Sequence, residues 1–168
     1  MGSSFGPCMK TDVVEADLSL PEHQSAVVNL TAAYALDPMG QGAPLSDAVL
    51  RRLVPGLQRH PTTLILLAYA DGRAVGLATC FVGYSTFAAR PLLNVHDFAV
   101  LPEFRGAGIG RRLLAAIEDK AKALECCKVT LEVQEKNVKA RSTYEAAGFQ
   151  QATCETEAGG SLFYAKSI

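Results

Sequence analysis

Apolar positions along the chain switch between helical and alternating spacing, and the switches set out an order of elements. Residues 11–16 form a short run that reads as a strand. Pro21 opens a helix that runs to about Leu36, with Ala26, Leu30 and Ala33 on one face. Two prolines and two glycines make residues 37–44 a loop. Residues 46–58 predict a second helix, with Pro55 as a candidate early stop. Residues 62–70, rich in Thr, Ile and Leu, predict a buried strand. Asp71-Gly72 is a hairpin signal, and residues 74–84 are the returning strand. Arg90-Pro91 punctuates, and a further strand over 92–101 is closed by Pro102.

Residues 110–124 predict an amphipathic helix whose apolar face carries Leu113, Leu114, Ile117, Ala121 and Leu124. Residues 128–133 alternate as a strand. Residues 138–147 form a helix with Gly148 placed as its C-cap. Two final strands near 149–154 and 161–166 flank the turn 157–160. The order is β-α-α-β-β-β-α-β-α-β-β. The central hairpin demands an antiparallel part, and the strand-helix-strand unit from 92 to 133 a parallel pair. The fold class is therefore α/β of the α+β kind. It has a central mixed, mostly antiparallel sheet of six to seven strands with helices on both faces. Residues 1–10 read as a flexible leader and 11–168 as a single domain.

Composition narrows the function classes. The chain has 168 residues, which suits one domain with a real core. A formal net charge of −1 gives no basic excess for nucleic acid or an acidic membrane surface. The five cysteines, Cys8, Cys80, Cys126, Cys127 and Cys154, are odd in number and form no CxxC pair. They read as free thiols of a reducing cytoplasm. The first nine residues lack the basic and apolar segments of a signal peptide, and the apolar stretch 64–70 is too short to span a bilayer. A soluble, cytoplasmic protein is the expectation. No His, Cys and Asp spacing suggests a metal.

The candidate chemistry starts where the strand 92–101 meets the helix 110–124. Arg105-Gly106-Ala107-Gly108-Ile109-Gly110-Arg111 places three glycines at that turn. Glycine lets an anion approach the backbone closely. The first N–H groups of the helix have no partner within it, and its dipole is positive there. Together these suit a phosphate or pyrophosphate, with Arg105, Arg111 and Arg112 as cationic donors around it. Two other readings stand beside this one. The glycines could serve only a tight turn. A dinucleotide fingerprint would need G-x-G-x-x-G in the first strand-to-helix turn, whereas here the spacing is G-x-G-x-G after a hairpin.

With these residues the sequence resembles the Gcn5-related N-acetyltransferase (GNAT) superfamily. The loop resembles its Arg/Gln-x-x-Gly-x-Gly/Ala signature, and the preceding Asp97-Phe-Ala-Val100-Leu-Pro-Glu-Phe looks like the family's fourth strand and its exit. Downstream, Asn137-Val-Lys-Ala140-Arg-Ser-Thr-Tyr144-Glu-Ala-Ala-Gly148-Phe149 looks like the Asn-x-x-Ala-x-x-x-Tyr-x-x-x-Gly-Phe segment. The resemblance implies an acetyl-CoA-dependent N-acetyltransferase acting on the primary amine of a small molecule or peptide by direct attack. The backbone of Gly106, Ala107, Gly108, Ile109, Gly110 and Arg111, with Arg105, would hold the CoA pyrophosphate. Phe98, Ala99 and Val100 would pair with the pantetheine arm where the fourth and fifth strands splay apart. Asn137 and Ala140 would line the other side of the arm, and Tyr144 would lie near the thioester sulfur. Acetyl-CoA is then the cosubstrate, and no metal is implied. Family members often form homodimers, which leaves the oligomeric state open. A non-catalytic acyl-CoA-binding sensor or regulatory module is the alternative.

Amine acetylation needs a neutral amine and a protonated leaving thiolate. Tyr144, on a helix face with Ala140 and Ala147, is the candidate acid. Its other reading is a core tyrosine under the sheet. For the base, His96 and Asp97 are adjacent on the strand, and period-two alternation sends them to opposite faces. Some polyamine-acetylating members carry a glutamate where His96 stands, and this sequence departs there. Asp97, an acid in an apolar strand, is the preferred base, with Glu103 or an ordered water as further options. Cys80 reads as a small core residue. The loop 37–44 and the segment 84–91 are expected to border the acceptor pocket.

Overall fold

The computed structural model describes residues 9–151 and Lys166. β1 (Thr11–Glu15) leads into α1 (Pro21–Leu36) and α2 (Asp47–Arg59). A meander of β2 (Thr63–Ala70), β3 (Arg73–Ser85) and β4 (Arg90–Val100) follows. A short 3-10 turn (Pro102–Phe104) joins β4 to α3 (Ile109–Ala123), and β5 (Val129–Leu131) and α4 (Val138–Ala146) complete the described elements. The sheet order is β1-β2-β3-β4-β5. Three pairs are antiparallel and β4–β5 is parallel. Five strands thus stand where six to seven were expected. Residues 149–151 are not a strand, and the rest of the two final strand segments lies outside the described residues.

The continuous apolar run of β2 has a simple cause, because the strand is covered on both sides. Leu64, Leu66, Ala68 and Ala70 pack with Leu113, Leu114 and Ile117 of α3. Ile65 and Leu67 pack with Ala26, Val27 and Leu30 of α1. Helices therefore lie on both faces, α3 and α4 on one, α1 and α2 on the other. Ala33 is only half-buried, and Val27 takes the core place it was expected to hold. α2 is capped by the Ser46 hydroxyl, which accepts from the Val49 N–H, and it runs on through Pro55. That proline lies on the exposed face, where water can take the Arg51 carbonyl left without its N–H. Among the described residues no helix is long and apolar enough to cross a membrane.

Two bulges break the alternation of the central strands. Ala68 opposes Gly76 and Tyr69 opposes Ala74, so Val75 is an extra residue in β3. Thr79 opposes Asp97 and Cys80 opposes Val95, so His96 is an extra residue in β4. Leu93 and Val95 before the second bulge, and Phe98 and Val100 after it, pack in the same α3-side cluster. A strand without the bulge would have sent Phe98 to the face opposite Val95.

Candidate active site

The bulge at His96 is also where the sheet divides. β4 and β5 pair only as Leu93–Val129, Asn94–Thr130 and Val95–Leu131. Beyond that point β4 continues to Val100 while β5 ends. Glu132, Val133 and Gln134 then form the opposite wall of a cleft of about 820 Å³. The expected splay is therefore present. Phe98, Ala99 and Val100 line the β4 wall, and Ala140, Thr143 and Tyr144 of α4 line the other. Asn137 caps α4, its side-chain oxygen accepting from Ala140 N–H at 3.2 Å, which leaves its amide nitrogen for the cleft.

One end of the cleft is the glycine loop. Gly106 and Gly108 have φ of 85° and 82°, in the left-handed region that glycine tolerates. Gly110 is different: its φ is not positive and a Cβ there would make an ordinary contact with the Phe98 ring at 3.7 Å. Gly108 is the N-cap of α3 and offers no side-chain cap. Among the described residues the N–H groups of Gly106 to Arg111 donate to no protein oxygen. Such a row of free donors at a helix N-terminus is an anion cradle. The side chains of Ala107 and Ile109 are not part of it. Ala107 is exposed outside the cleft, and Ile109 is 1% exposed in the core beneath α3. What these two residues bring to the loop is main chain.

The three arginines divide. Arg111 lines the cleft and has no protein partner among the described residues. Arg112 does not line it and reaches toward the Thr11 carbonyl at 3.5 Å. Arg105 is engaged on both sides, donating from Nε to the Val100 carbonyl at 2.9 Å and pairing with the Asp37 carboxylate at 2.5 Å. Its charge is therefore matched within the protein rather than free for a pyrophosphate. The Arg105 guanidinium holds the Asp37 carboxyl below the usual carboxylate range.

The other end of the cleft lies on the α1/α2 face. Here the bulge overturns the expectation that His96 and Asp97 point apart. The His96 ring meets the Phe81 ring at 5.6 Å, and Asp97 stands opposite the buried Thr79. Phe81 and Thr79 are two apart on β3 and share a face. Both His96 and Asp97 line the cleft. Burial raises the Asp97 carboxyl above its ordinary value, while His96 and the Thr79 hydroxyl partly offset that. Glu103 lies outside the cleft, exposed and paired with Arg73 at 3.0 Å.

Tyr144 is 7% exposed and lines the cleft. It is wedged edge-on against Phe98 at 5.7 Å and near Phe149 at 6.0 Å. Its neighbours thus include two aromatic rings besides Ala140, while Ala147 is exposed. Burial, then the charge of Tyr34, pushes its phenol up to about 12. Tyr144 belongs to the core cluster and also borders the cleft.

Tyr34 escaped the sequence reading. It lines the cleft from α1, and its phenol is raised by burial, then by Asp97 and Asp37. The signal was there: Thr31, Tyr34 and Ala35 are spaced i, i+3, i+4 and all line the cleft. Loop 37–44 borders the site as expected, through Asp37, Met39, Gly40 and Gln41. Asp37 organises it, its carboxylate accepting from Met39 N–H at 2.8 Å and its carbonyl from Gly40 and Gly42. A Cβ on Gly40 would overlap the Tyr34 carbonyl oxygen. Residues 84–91 do not border the cleft; they form the far end of the β3–β4 hairpin, with Tyr84 facing Pro91. Cys80 is buried in the core and its thiol is pushed up to about 12 by that burial, so it is no nucleophile. Cys126 and Cys127 are also free, while Cys8 and Cys154 lie outside the described residues.

The profile of the family described as acetyltransferase (GNAT) matches residues 30–149. An uncharacterized N-acetyltransferase, YhfO, of Bacillus subtilis (strain 168) is 32% identical over 97 residues, covering 58% of this chain and 64% of that protein. The match thus spans less than two thirds of this relative. The crystal structure of a probable acetyltransferase superposes with a TM-score of 0.77 at 20% identity, covering 94% of this chain and 99% of that one. The aminoglycoside acetyltransferase AAC(6')-Iy, solved with a bisubstrate analogue of CoA and acetylneamine, gives 0.73 at 19% identity, covering 95% and 99%. At such identities the likeness is one of fold.

Proposed function

The chain belongs to the acetyltransferase (GNAT) family, and from that premise we propose that it transfers an acetyl group from acetyl-CoA to a primary amine. The observation that carries this reading is the row of free N–H donors from Gly106 to Arg111 at the head of α3, opening onto a fork in the sheet. The donors suit a pyrophosphate, with Arg111 beside them. The fork offers β4 main chain at Phe98, Ala99 and Val100 to an amide-bearing arm, and Asn137 and Ala140 face it from α4. The fork also joins the two faces of the sheet. A thioester threaded from the α3/α4 side would meet an amine arriving from the α1/α2 side.

Three groups supply the chemistry. A free alkylamine has a pKa of about 10.4, so it is mostly protonated near neutrality. Asp97, half-buried and raised, takes that proton directly or through a water. The amine nitrogen then attacks the thioester carbonyl, the C–N bond forms, and the C–S bond breaks. As the tetrahedral intermediate collapses, the nitrogen gives up its second proton, and the departing thiolate takes it through water. Tyr144 stays protonated throughout the physiological range and serves as the hydrogen-bond donor to the sulfur. A phenol near 12 is a weaker acid than a thiol of about 8.5, so its part is donation during charge build-up.

The test is thiol release from acetyl-CoA with a panel of amines, alongside direct titration of CoA. Turnover with at least one amine supports the proposal. Tight CoA binding with no turnover on any amine would support the sensor reading instead. Absence of CoA binding overturns both.

A further inference from the structure

We propose that the acceptor end of the cleft selects amines whose neighbouring groups are cationic or neutral and rejects those with a carboxylate or phosphate close by. This rests on the acetyl-transfer reading above.

The two sides of the cleft differ in charge. Its α3/α4 side carries the N-terminus of α3, its free N–H donors, Arg111 and, on α4, Lys139. On the other side α1 terminates, presenting the negative end of its dipole. Asp97 and Asp37 stand beside it, with Tyr34 and Thr31 as hydroxyl groups and Met39 as apolar surface. Among the described residues the guanidinium that reaches that side is Arg105, and it is taken by Asp37 at 2.5 Å and by the Val100 carbonyl at 2.9 Å. The Asp37 side chain is 11% exposed and that of Arg105 38%. His96 also lines the cleft there, adjacent to Asp97. Residues 1–8 and 152–165 contain no Lys or Arg.

An anionic substituent near the attacking nitrogen would therefore meet the Asp97 carboxylate and find no unpaired Lys or Arg among the described residues of that side. A second ammonium or a hydroxyl would find acceptors. Asp37 has a double part: it holds the acceptor loop through Met39 N–H and silences Arg105. It is a positioning residue that also sets charge preference.

The experiment compares acceptors matched in skeleton, 1,4-diaminobutane with 4-aminobutyrate and glucosamine with glucosamine 6-phosphate. Each is titrated calorimetrically onto the CoA-loaded protein and assayed for turnover with acetyl-CoA. The uncharged or cationic member is expected to bind at least about tenfold tighter at low salt, with the gap narrowing as salt screens it. Asp37→Asn keeps an oxygen for Met39 N–H while freeing the Arg105 charge, and is expected to shrink or reverse that gap. Equal or tighter binding of the anionic members by the unaltered protein overturns the inference. So does an Asp37→Asn protein, folded by its melting curve, with an unchanged gap. Because the binding arm needs no turnover, failure of acetyl transfer and failure of this inference are read separately.

Discussion

Asp97 and Tyr144 take opposite risks with the same burial. For Asp97, burial raises the pKa, so the folded protein favours the protonated acid. The carboxylate costs stability, and the cost grows as pH rises through the raised value. Activity needs the carboxylate, so the rate falls as pH drops through the same value. Asp97→Asn should therefore lower kcat/KM by about a hundredfold and remove the acid limb of the rate profile. Its melting temperature near neutrality should be unchanged or higher. A retained acid limb in that variant would assign the base elsewhere. For Tyr144, burial keeps the phenol protonated. Tyr144→Phe keeps the ring contacts with Phe98 and Phe149 and loses one donor, so kcat should fall about ten- to hundredfold with little change in stability. An unchanged kcat under saturating acetyl-CoA would remove Tyr144 from the chemistry. The sequence pointed to both residues, Tyr144 through its motif and Asp97 as an acid among apolar neighbours. It could not reveal the Arg105–Asp37 pair, whose members are 68 positions apart, nor that Arg105 is thereby engaged.

At the scale of elements, the decisive device is the extra residue His96 in β4. Deleting it should restore strict alternation. Asp97 would then stay opposite Thr79 and Phe98 opposite Ala78, so the fold should survive, while loss of the bend where β4 leaves β5 should raise the KM for acetyl-CoA. A His96 deletion with an unchanged KM for acetyl-CoA would show that the bulge does not shape the fork. At the glycine loop, Gly108→Ala puts a Cβ into a φ of 82°. It should cost about 1 kcal/mol and raise the KM for acetyl-CoA more than that for the amine, as initial rates would read. Element boundaries were legible wherever a local rule sets them. Pro21 starts α1 where expected, and Asp71-Gly72 turns the hairpin with both residues at positive φ. The bulges were not legible, because period-two reading assumes an unbroken ladder, and an inserted residue is specified by packing on both faces rather than by its own type.

For the molecule as a whole, the donor half of the site was readable because it is contiguous, lying on residues 97–149. The acceptor half is assembled from α1, the loop after it and the bulge, which only the folded sheet brings together. Binding across the fork should tie these parts to one another. At 100 times its Kd, acetyl-CoA should add about 2.7 kcal/mol. For a chain of this length that is roughly 5–10 °C in Tm, read by a melting curve with and without cosubstrate. No shift would mean that the cleft does not hold it. The fork has one more consequence, for behaviour in concentrated solution. Beyond Val95, no described strand pairs with β4 on the side that faces β5, and an unpaired strand edge is a template for a neighbouring chain. An arm lying along that edge plays the part of a missing strand. Cosubstrate should therefore act as a guard against self-association, with light scattering lower in its presence than in its absence.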